Sequence, residues 1–501
     1  MGLEPIFRVA RLREIEAANA ASPLMERAGL AGATLARELL GDRAPRVLVL
    51  AGPGNNGGDG FVVARLLKGW FFDVTVAFCG DAARLPRDAA AARKAWSDAG
   101  GETLTAWPER DGWGLIVDGL FGIGLTRPAQ DVAAQWIERA NASGVRIVAL
   151  DIPSGLNADT GVAYAPAIRA AATATFIALK PGLLTADGPD HCGRLSVHRL
   201  GIELDTARAG SGRRLDWPAL AAALPEPLRR ARRNVHKGTF GTLGIVGGSD
   251  GLVGAAILAG RAALHVGAGK LWVGLAASER LAVDWAQPEL MLRAALDVLA
   301  AKPDALIVGP GLGQGKEAGE LLAHALGLPC PVVIDADALN LIAADNTLAL
   351  AAAARTAPTL MTPHPAEAAR VSGTDVTAVQ SDRLPCALDL AARFHAGVVL
   401  KGAGSVLAHA DGSWAINASG NASLASGGTG DVLAGIIGAF LVQGVQAKDA
   451  LELAVCLHGA AADALVAEGT GPVGVVASEL CPMARRLLNA AARARSEGPY
   501  A

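Results

Sequence analysis

The run AGPGNNGGDG, residues 51–60, follows the apolar stretch RVLVL and sets glycines among side chains able to hold a ligand or a proton. Gly52, Gly54 and Gly57 stand at the G-x-G-x-x-G spacing of a dinucleotide-binding turn, with strand before and helix after. Asn55, Asn56 and Asp59 do not suit a bare pyrophosphate cradle, because fixed acceptors there repel its charge. The turn can meet a dinucleotide, but no redox chemistry follows from it. VDGLFGIGLTRP (117–128) and ALDIPSGLN (149–157) are further strand-to-loop transitions, each with an aspartate at the strand end. Ligands bind at such ends in open α/β folds, and three of them bring Asn56, Asp118 and Ser154 to one rim. Hard oxygen donors of low total charge suit a weakly held monovalent cation better than zinc or calcium. A partly buried carboxylate at this rim, Asp151 first and Asp118 second, can serve as acid or base. The plainer reading, glycines for turns and aspartates for caps, covers any one run but not all three together.

A second constellation lies in NASLASGGTGDVLAGIIGAFL, residues 421–441. Ser426 to Asp431 form a glycine-rich turn opening an apolar helix, which aims free N–H groups and the positive dipole end at one point. That arrangement stabilises a migrating phosphoryl group, and Asp431 beside it can take a proton from an attacking hydroxyl. A simple cap needs no three glycines. VLKGAGSVLAH (399–409) ends a strand with Lys401 and a glycine turn suited to phosphates or ribose. LMTPHPAEAAR (360–370) mounts His364 rigidly between two prolines, for a polar contact or equally for a structural role. IVGPGLGQG (307–315) is a further strand-end loop, and VIDADALN (333–340) supplies Asp335 and Asp337. VGAGKL (266–271) is no phosphate loop, since Leu271 stands where a hydroxyl would bind magnesium; it reads as a helix-to-strand turn.

These residues need a scaffold of parallel strands. Runs rich in Val, Ile and Leu alternate with Ala-rich helical stretches, the pattern of sheets covered by helices on both faces. Strands are predicted near 46–51, 73–78, 114–118, 145–150 and 172–177, with helices near 12–40, 58–69, 86–99 and 129–143. In the second half strands are predicted near 242–247, 270–274, 304–308, 331–335, 358–361, 397–400, 404–408 and 413–416. At 501 residues more than one domain is expected. Periodicity lapses over TARAGSGRRLD, 206–216, which marks the join between two unlike α/β domains.

Net charge is −3, which leaves no basic footprint for nucleic acid. Arg229, Arg230, Arg232 and Arg233 read as a solvated linker face. The six cysteines form no C-x-x-C pair and suit a reducing cytosol. The N-terminal stretch is too charged for a signal peptide, and apolar runs break before spanning length. A cytoplasmic enzyme without membrane segments is expected.

The first-half motifs resemble the epimerase domain of the bifunctional NAD(P)H-hydrate repair enzymes. G-x-G-N-N-G-G-D-G, D-G-x-x-G-x-G-L and D-x-P-S-G stand in that family's order. The resemblance implies a Rossmann-like three-layer α/β/α domain over 10–208. In it Asn55, Asn56, Gly57, Gly58 and Asp59 hold the damaged dinucleotide. The loop Gly122, Ile123, Gly124, Leu125, Thr126, Arg127 and Pro128 holds it too, with Asp151. A potassium ion at Asn56, Asp118 and Ser154 is also implied. Ile123 departs from the small polar residue usual there.

The second half is similar to the ribokinase-like superfamily, and more closely to the ADP-dependent NAD(P)H-hydrate dehydratase domain. KGTFGTLGIVGGS (237–249) is followed by G-P-G-L-G, D-A-D-A-L-N, T-P-H-P-x-E, K-G-A-G-S and G-G-T-G-D-V-L-A-G in family order. The resemblance implies a ribokinase-like α/β/α domain over 214–497. ADP then lies on Lys401, Gly402, Ala403, Gly404, Ser405, Asn421, Ser426, Gly427, Gly428, Thr429 and Gly430. The hydrate meets Ala255, Gly311 or Gly313, His364 and Asp431. His265, Ala366 and the segment NASLAS depart from the family's usual residues. Implied is exchange of the R and S hydrates, with ADP-driven dehydration of the S form to NAD(P)H, AMP and phosphate. Magnesium would be carried mostly by phosphate and water, and a homo-oligomer is expected. The rivals are a ribokinase-type small-molecule kinase and a first domain that only binds nucleotide.

Overall fold

The computed structural model describes residues 3–41, 45–205, 210–230, 232–279 and 281–496. It divides into two units, Glu4–Ser211 and a second from Gly212 onward. Residues 206–209 of the anticipated join lie outside the described residues.

In the first unit the strands are β1 (Arg46–Ala51), β2 (Asp73–Phe78), β3 (Thr103–Leu104), β4 (Leu115–Gly119), β5 (Ile147–Leu150), β6 (Ala172–Phe176) and β7 (Arg194–His198). They form one sheet in the order β3-β2-β1-β4-β5-β6-β7, and every pairing is parallel. Val47 to Ala51 and Leu115 to Val117 are fully buried, as expected for strands covered on both faces. The chain direction across the sheet reverses between β1 and β4, and the crevice beyond such a switch point is where open α/β sheets take ligands. Register sets Leu50 opposite Asp118 and Asp118 opposite Ala149. The chain therefore leaves the sheet at Ala51, Gly119 and Leu150 along one rim.

Two helix expectations need correction. The stretch 12–40 is two helices, α1 (Val9–Ala18) and α2 (Leu24–Leu40), because Pro23 has no N–H to continue the ladder and restricts the residue before it. The helix after β1, α3 (Asn55–Gly69), begins at Asn55, so the two asparagines occupy its first turn rather than a preceding loop. The edge strands β3 and β7 were not anticipated; they are short or only half-buried, and their hydrophobic pattern is weak.

The second unit contains β8 (Gly212–Leu215), β9 (Thr242–Gly247), β10 (Lys270–Leu275), β11 (Met291–Ala294), β12 (Ala305–Val308), β13 (Val332–Ile334), β14 (Thr359–Met361), β15 (Gly397–Leu400), β16 (Ser405–Ala408) and β17 (Trp414–Asn417). Their order is β8-β17-β16-β15-β14-β13-β12-β9-β10-β11, with antiparallel pairing only at β15–β16 and β16–β17. β8 falls inside the anticipated join. Its Arg213 and Arg214 mask a strand that pairs in parallel with β17. Helices α4 (Val253–His265), α5 (Pro365–Ser372), α6 (Thr429–Val442) and α7 (Ala447–Ala467) cover the sheet region that matters here. α6 packs so closely on α4 that Gly435 meets the Ala259 carbonyl, which fixes where the N-terminus of α6 points. α7 corrects another expectation: by length and composition it could cross a membrane, yet 72% of that window is buried inside the unit. The VGAGKL stretch does join α4 to β10.

Candidate active sites

Beyond the switch point of the first unit lies a cavity of about 580 Å³, lined by Asn55, Asn56, Asp59, the Gly122–Leu125 stretch, Asp151 and Lys180 among others. The glycines of the opening turn have different tasks. A Cβ at Gly52 would strike the Leu120 carbonyl, and one at Gly57 would strike the Gly52 carbonyl, so both exist to let backbones touch. Gly54 has nothing within 4 Å and lines the cavity. Gly57 and Gly58 do not line it; the α-carbon of Gly58 faces Met25 and Ala89. Of the predicted loop, Gly122 to Leu125 face this cavity, while Arg127 and Pro128 line a neighbouring one and Thr126 lines neither.

Asp151 sits just past β5 with φ 64°, a left-handed conformation that costs a non-glycine residue about 1–3 kcal/mol. The bend lets its N–H donate to the Ala174 carbonyl at 2.7 Å and aims its carboxylate at β6. There Oδ1 accepts the Phe176 N–H at 3.2 Å and pairs with Lys180. The Lys180 ammonium is 1% exposed and also donates to Thr175 Oγ1 at 2.8 Å and the Phe176 carbonyl at 2.9 Å. All three donor sites of the ammonium are thus used, which offsets part of the cost of burying it. Glu16 and Asp59 face the same cavity. Burial, then the Asp151 charge, raises both pKa values, and that of Asp59 lies well above the usual carboxylate range.

Asp118 does not face the cavity. It is fully buried, and its carboxylate accepts the Ser154 hydroxyl at 2.6 Å, the Ser154 N–H at 2.8 Å and the Leu120 N–H at 3.2 Å. That removes it as the second acid/base. Burial raises its pKa to about 6 despite these donors. Beside it both amide atoms of Asn56 are buried without a hydrogen-bond partner, and Gly122 lies against that amide. Among the described residues no group of three or more His, Cys, Asp or Glu side chains is placed to hold a metal. A cation here would rest on amide, hydroxyl and carbonyl oxygens around one carboxylate, a donor set of low charge that fits potassium.

In the second unit the predicted residues converge at the ends of β12 to β15. Asp335 follows β13, is 1% exposed, and accepts the Thr362 hydroxyl at 2.6 Å and Lys401 Nζ at 3.1 Å. Lys401 lies 3.9 Å from Glu367 as well, and a Cβ at Gly430 would sit 3.3 Å from Nζ. Burial works against the Lys401 charge, but Asp335, Glu367 and Asp431 outweigh it and raise its pKa. Asp431 stands in the first turn of α6. Burial first, then Asp335, lifts its carboxyl to about 7, against the opposing pull of Lys401. Such a carboxylate is poised to accept a proton near neutral pH.

Gly311 packs on Ala255, and the Gly313 N–H donates to Asp337 at 2.9 Å; Ala336, between the two aspartates, has φ 50°. His364 caps α5. Its Nδ1 accepts the Ala366 N–H at 3.1 Å and the Glu367 side chain returns a bond to the His364 N–H at 2.8 Å, so T-P-H-P-x-E is a capping box. Burial and then Lys401 lower the His364 pKa, and its Nε2 lies 3.3 Å from Glu367 Oε1. Asn421 is engaged by Asp463 at 2.9 Å and Thr429 by the Leu424 carbonyl at 2.9 Å. A Cβ at Gly427 would meet nothing within 4 Å, one at Gly430 would meet only the Lys401 ammonium, and Gly428 supplies the left-handed turn at φ 89°. The turn Gly402–Ser405 is closed by the Ser405 hydroxyl on the Gly402 carbonyl at 3.1 Å.

Sequence reasoning missed Lys180, Glu16, Glu367 as a charged wall, and Arg383. Lys180 was signalled as Asp151 was, by a charge ending an apolar strand run, FIALKP. Glu16 and Arg383 sit on helices with nothing in the pattern to distinguish them.

A family described as "NAD(P)H-hydrate dehydratase" matches residues 243–483, and one described as "YjeF-related protein N-terminus" matches residues 21–182. The chain is 43% identical over 475 residues to the bifunctional NAD(P)H-hydrate repair enzyme Nnr of Escherichia coli K12, covering 93% of this chain and 89% of that one. It is 36% identical over 500 residues to the corresponding enzyme of Coxiella burnetii, covering 97% and 99%. The crystal structure of the ADP/ATP-dependent NAD(P)H-hydrate dehydratase of Bacillus subtilis, co-crystallized with ATP and Mg2+, is 33% identical with TM-score 0.48, covering 55% of this chain and 97% of that one. With both halves matched and relatives spanning nearly its whole length, this chain belongs to the family of bifunctional NAD(P)H-hydrate repair enzymes.

Proposed function

We propose that residues 10–208 carry the epimerase site, in the cavity around Asp151 and Lys180. Residues 214–497 carry the dehydratase site around Asp431. Interconverting the R and S hydrates inverts C6 of the nicotinamide ring, which bears the hydroxyl beside the ring nitrogen. Whether the hydroxyl leaves or the C–N bond opens, one group must give and take a proton at that centre. Asp151 does so, its carboxylate oriented by Lys180 and the Phe176 N–H. Asn56, Ser154 and Asp118 would hold a potassium ion, whose charge, when bound, fixes the loop facing the dinucleotide.

In the second site Asp431 takes the C6 hydroxyl proton as that oxygen bonds to the β-phosphorus of ADP, and the bond to the bridging oxygen breaks to release AMP. Backbone N–H groups at the start of α6 face the charge of the moving phosphoryl. The ring-nitrogen lone pair then expels phosphate and C5 gives up a proton, leaving NAD(P)H. Lys401 steadies the nucleotide's negative charge. Magnesium, which suits phosphate and water oxygens, needs little from the protein. Free thiols at all six cysteines support a reducing, cytoplasmic setting.

The observation that carries this reading is Asp431, a carboxyl raised to about 7 at the N-terminus of a buried helix and beside a cation. The test is incubation of the chain with mixed hydrate epimers, ADP and magnesium, following the absorbance of reduced nicotinamide and the release of AMP. Asp431→Asn is expected to abolish recovery and leave epimer exchange intact. Near-normal dehydration by the variant removes Asp431 as the base. ADP formed from ATP with an alcohol substrate, and no AMP from ADP, would point to a kinase.

A further inference from the structure

We infer that Arg383 is a positioning residue for the dehydratase reaction: its guanidinium, inside the unit, fastens the Lys401–Gly404 turn by its carbonyls and so sets Lys401 against Asp335 and Asp431. This rests on the dehydratase assignment above. Arg383 opens the helix Arg383–Phe394 and is 2% exposed. One terminal nitrogen donates to the Leu400 and Lys401 carbonyls at 3.0 Å each, and the other to the Ala403 carbonyl at 2.5 Å and the Gly404 carbonyl at 3.4 Å. The backbone of Gly402 lies against the same guanidinium. From the far side the Lys401 N–H donates to the Pro363 carbonyl at 2.9 Å. The main chain of Lys401 is thus held on both sides, one residue after β15 ends.

That placement is costly for a cation. Burial lowers the Arg383 pKa to about 10, and the first turn of a helix carries positive partial charge. Carbonyl oxygens held in place return part of that cost, so turn and guanidinium immobilise each other. A planar fork reaches several carbonyls at once, and a lysine ammonium in its place cannot. The consequence is electrostatic. Asp431 is faced by Asp335 and Asp337 from the loop after β13, by Glu367 from α5 and by Lys401 from the end of β15. Lys401 is faced in addition by His364 and, from α7, by His458. Of these groups Lys401 is the one that lowers the Asp431 pKa. Letting the turn drift weakens that pull, so Asp431 ionises at higher pH.

Arg383→Lys and Arg383→Met in the full chain test this, with kcat, the KM for ADP, the pH profile of dehydration and epimer exchange as readouts. The expected result is an acid limb moved up by about one pH unit. Dehydration then falls about tenfold below pH 7 and recovers toward pH 9, with kcat changed more than KM. Epimer exchange, which takes place in the other unit, stays at the wild-type rate, and a thermal melt at wild-type Tm reports that the unit from Gly212 onward is folded. A profile that superimposes on wild type, or is scaled equally at every pH, overturns the inference. If Arg383→Met fails to fold, Arg383→Lys decides by the same criteria. A wild-type chain that exchanges epimers but does not dehydrate with ADP overturns the underlying assignment, and this inference with it.

Discussion

In the proposed reactions three side chains, Asp431, Asp151 and Lys180, carry most of the chemistry. For Asp431 the folded pKa of about 7 lies above the unfolded value, so its stabilising contribution is complete below the unfolded value and disappears as pH rises toward 7. Asp431→Asn should therefore raise Tm relative to wild type at pH 8 by a few degrees and leave it unchanged near pH 3, read by thermal melts at both. Dehydration by the wild type should rise with pH through about 7, because the base must be ionised. In the first site Asp151→Asn or Lys180→Met is expected to slow epimer exchange by about 10²–10⁴-fold while dehydration of the S hydrate continues. Asp151 was legible as a charge ending an apolar strand run, and Asp431 through the glycine-rich turn before it. Lys180 also ends an apolar run but stands beyond the end of β6 at Phe176, where no strand end marks it.

At the scale of elements, the turn from β1 into α3 separates packing glycines from an open one. Gly52→Ala drives a methyl into the Leu120 carbonyl and should cost at least about 1–3 kcal/mol, seen as a lower Tm for the first unit. Gly54→Ala meets nothing within 4 Å and should leave the unfolding free energy within about 0.5 kcal/mol of wild type. Its methyl enters the cavity and should raise the KM for exchange. Replacing potassium by a larger inert cation should lower both the exchange rate and the melting of the first unit, with dehydration unaffected. A first unit that melts identically without potassium would remove the ion from Asn56, whose amide the fold buries without a partner. The G-x-G-x-x-G spacing alone could not separate these glycines, since the distinction depends on which neighbouring backbone crosses each α-carbon.

For the whole molecule, joining an epimer-indifferent exchange site to an epimer-selective dehydration site determines how far the reaction runs. Wild type should convert a mixed hydrate pool completely with excess ADP. Asp151→Asn should stop early, at the S fraction, as followed by absorbance and resolved by chromatography of what remains. Complete conversion by that variant at the wild-type rate would show that exchange does not need Asp151.

The sequence by itself determined the α/β class and the positions of most of the long parallel strands and of the loops that follow them, because buried parallel strands are apolar runs and their ends are marked by glycine and charge. It also determined Asp118 and Ser154 as neighbours, through strand-end placement alone. Only the tertiary structure decided that Asp118 faces inward, that His364 spends Nδ1 on a helix cap, that Lys180 stands beside Asp151 and Glu367 beside Lys401, and that Arg383 fastens the Lys401–Gly404 turn. Those roles depend on which surfaces cover a residue and which charges stand across from it. Such facts arise from contacts between distant segments, and no local pattern of residues encodes them.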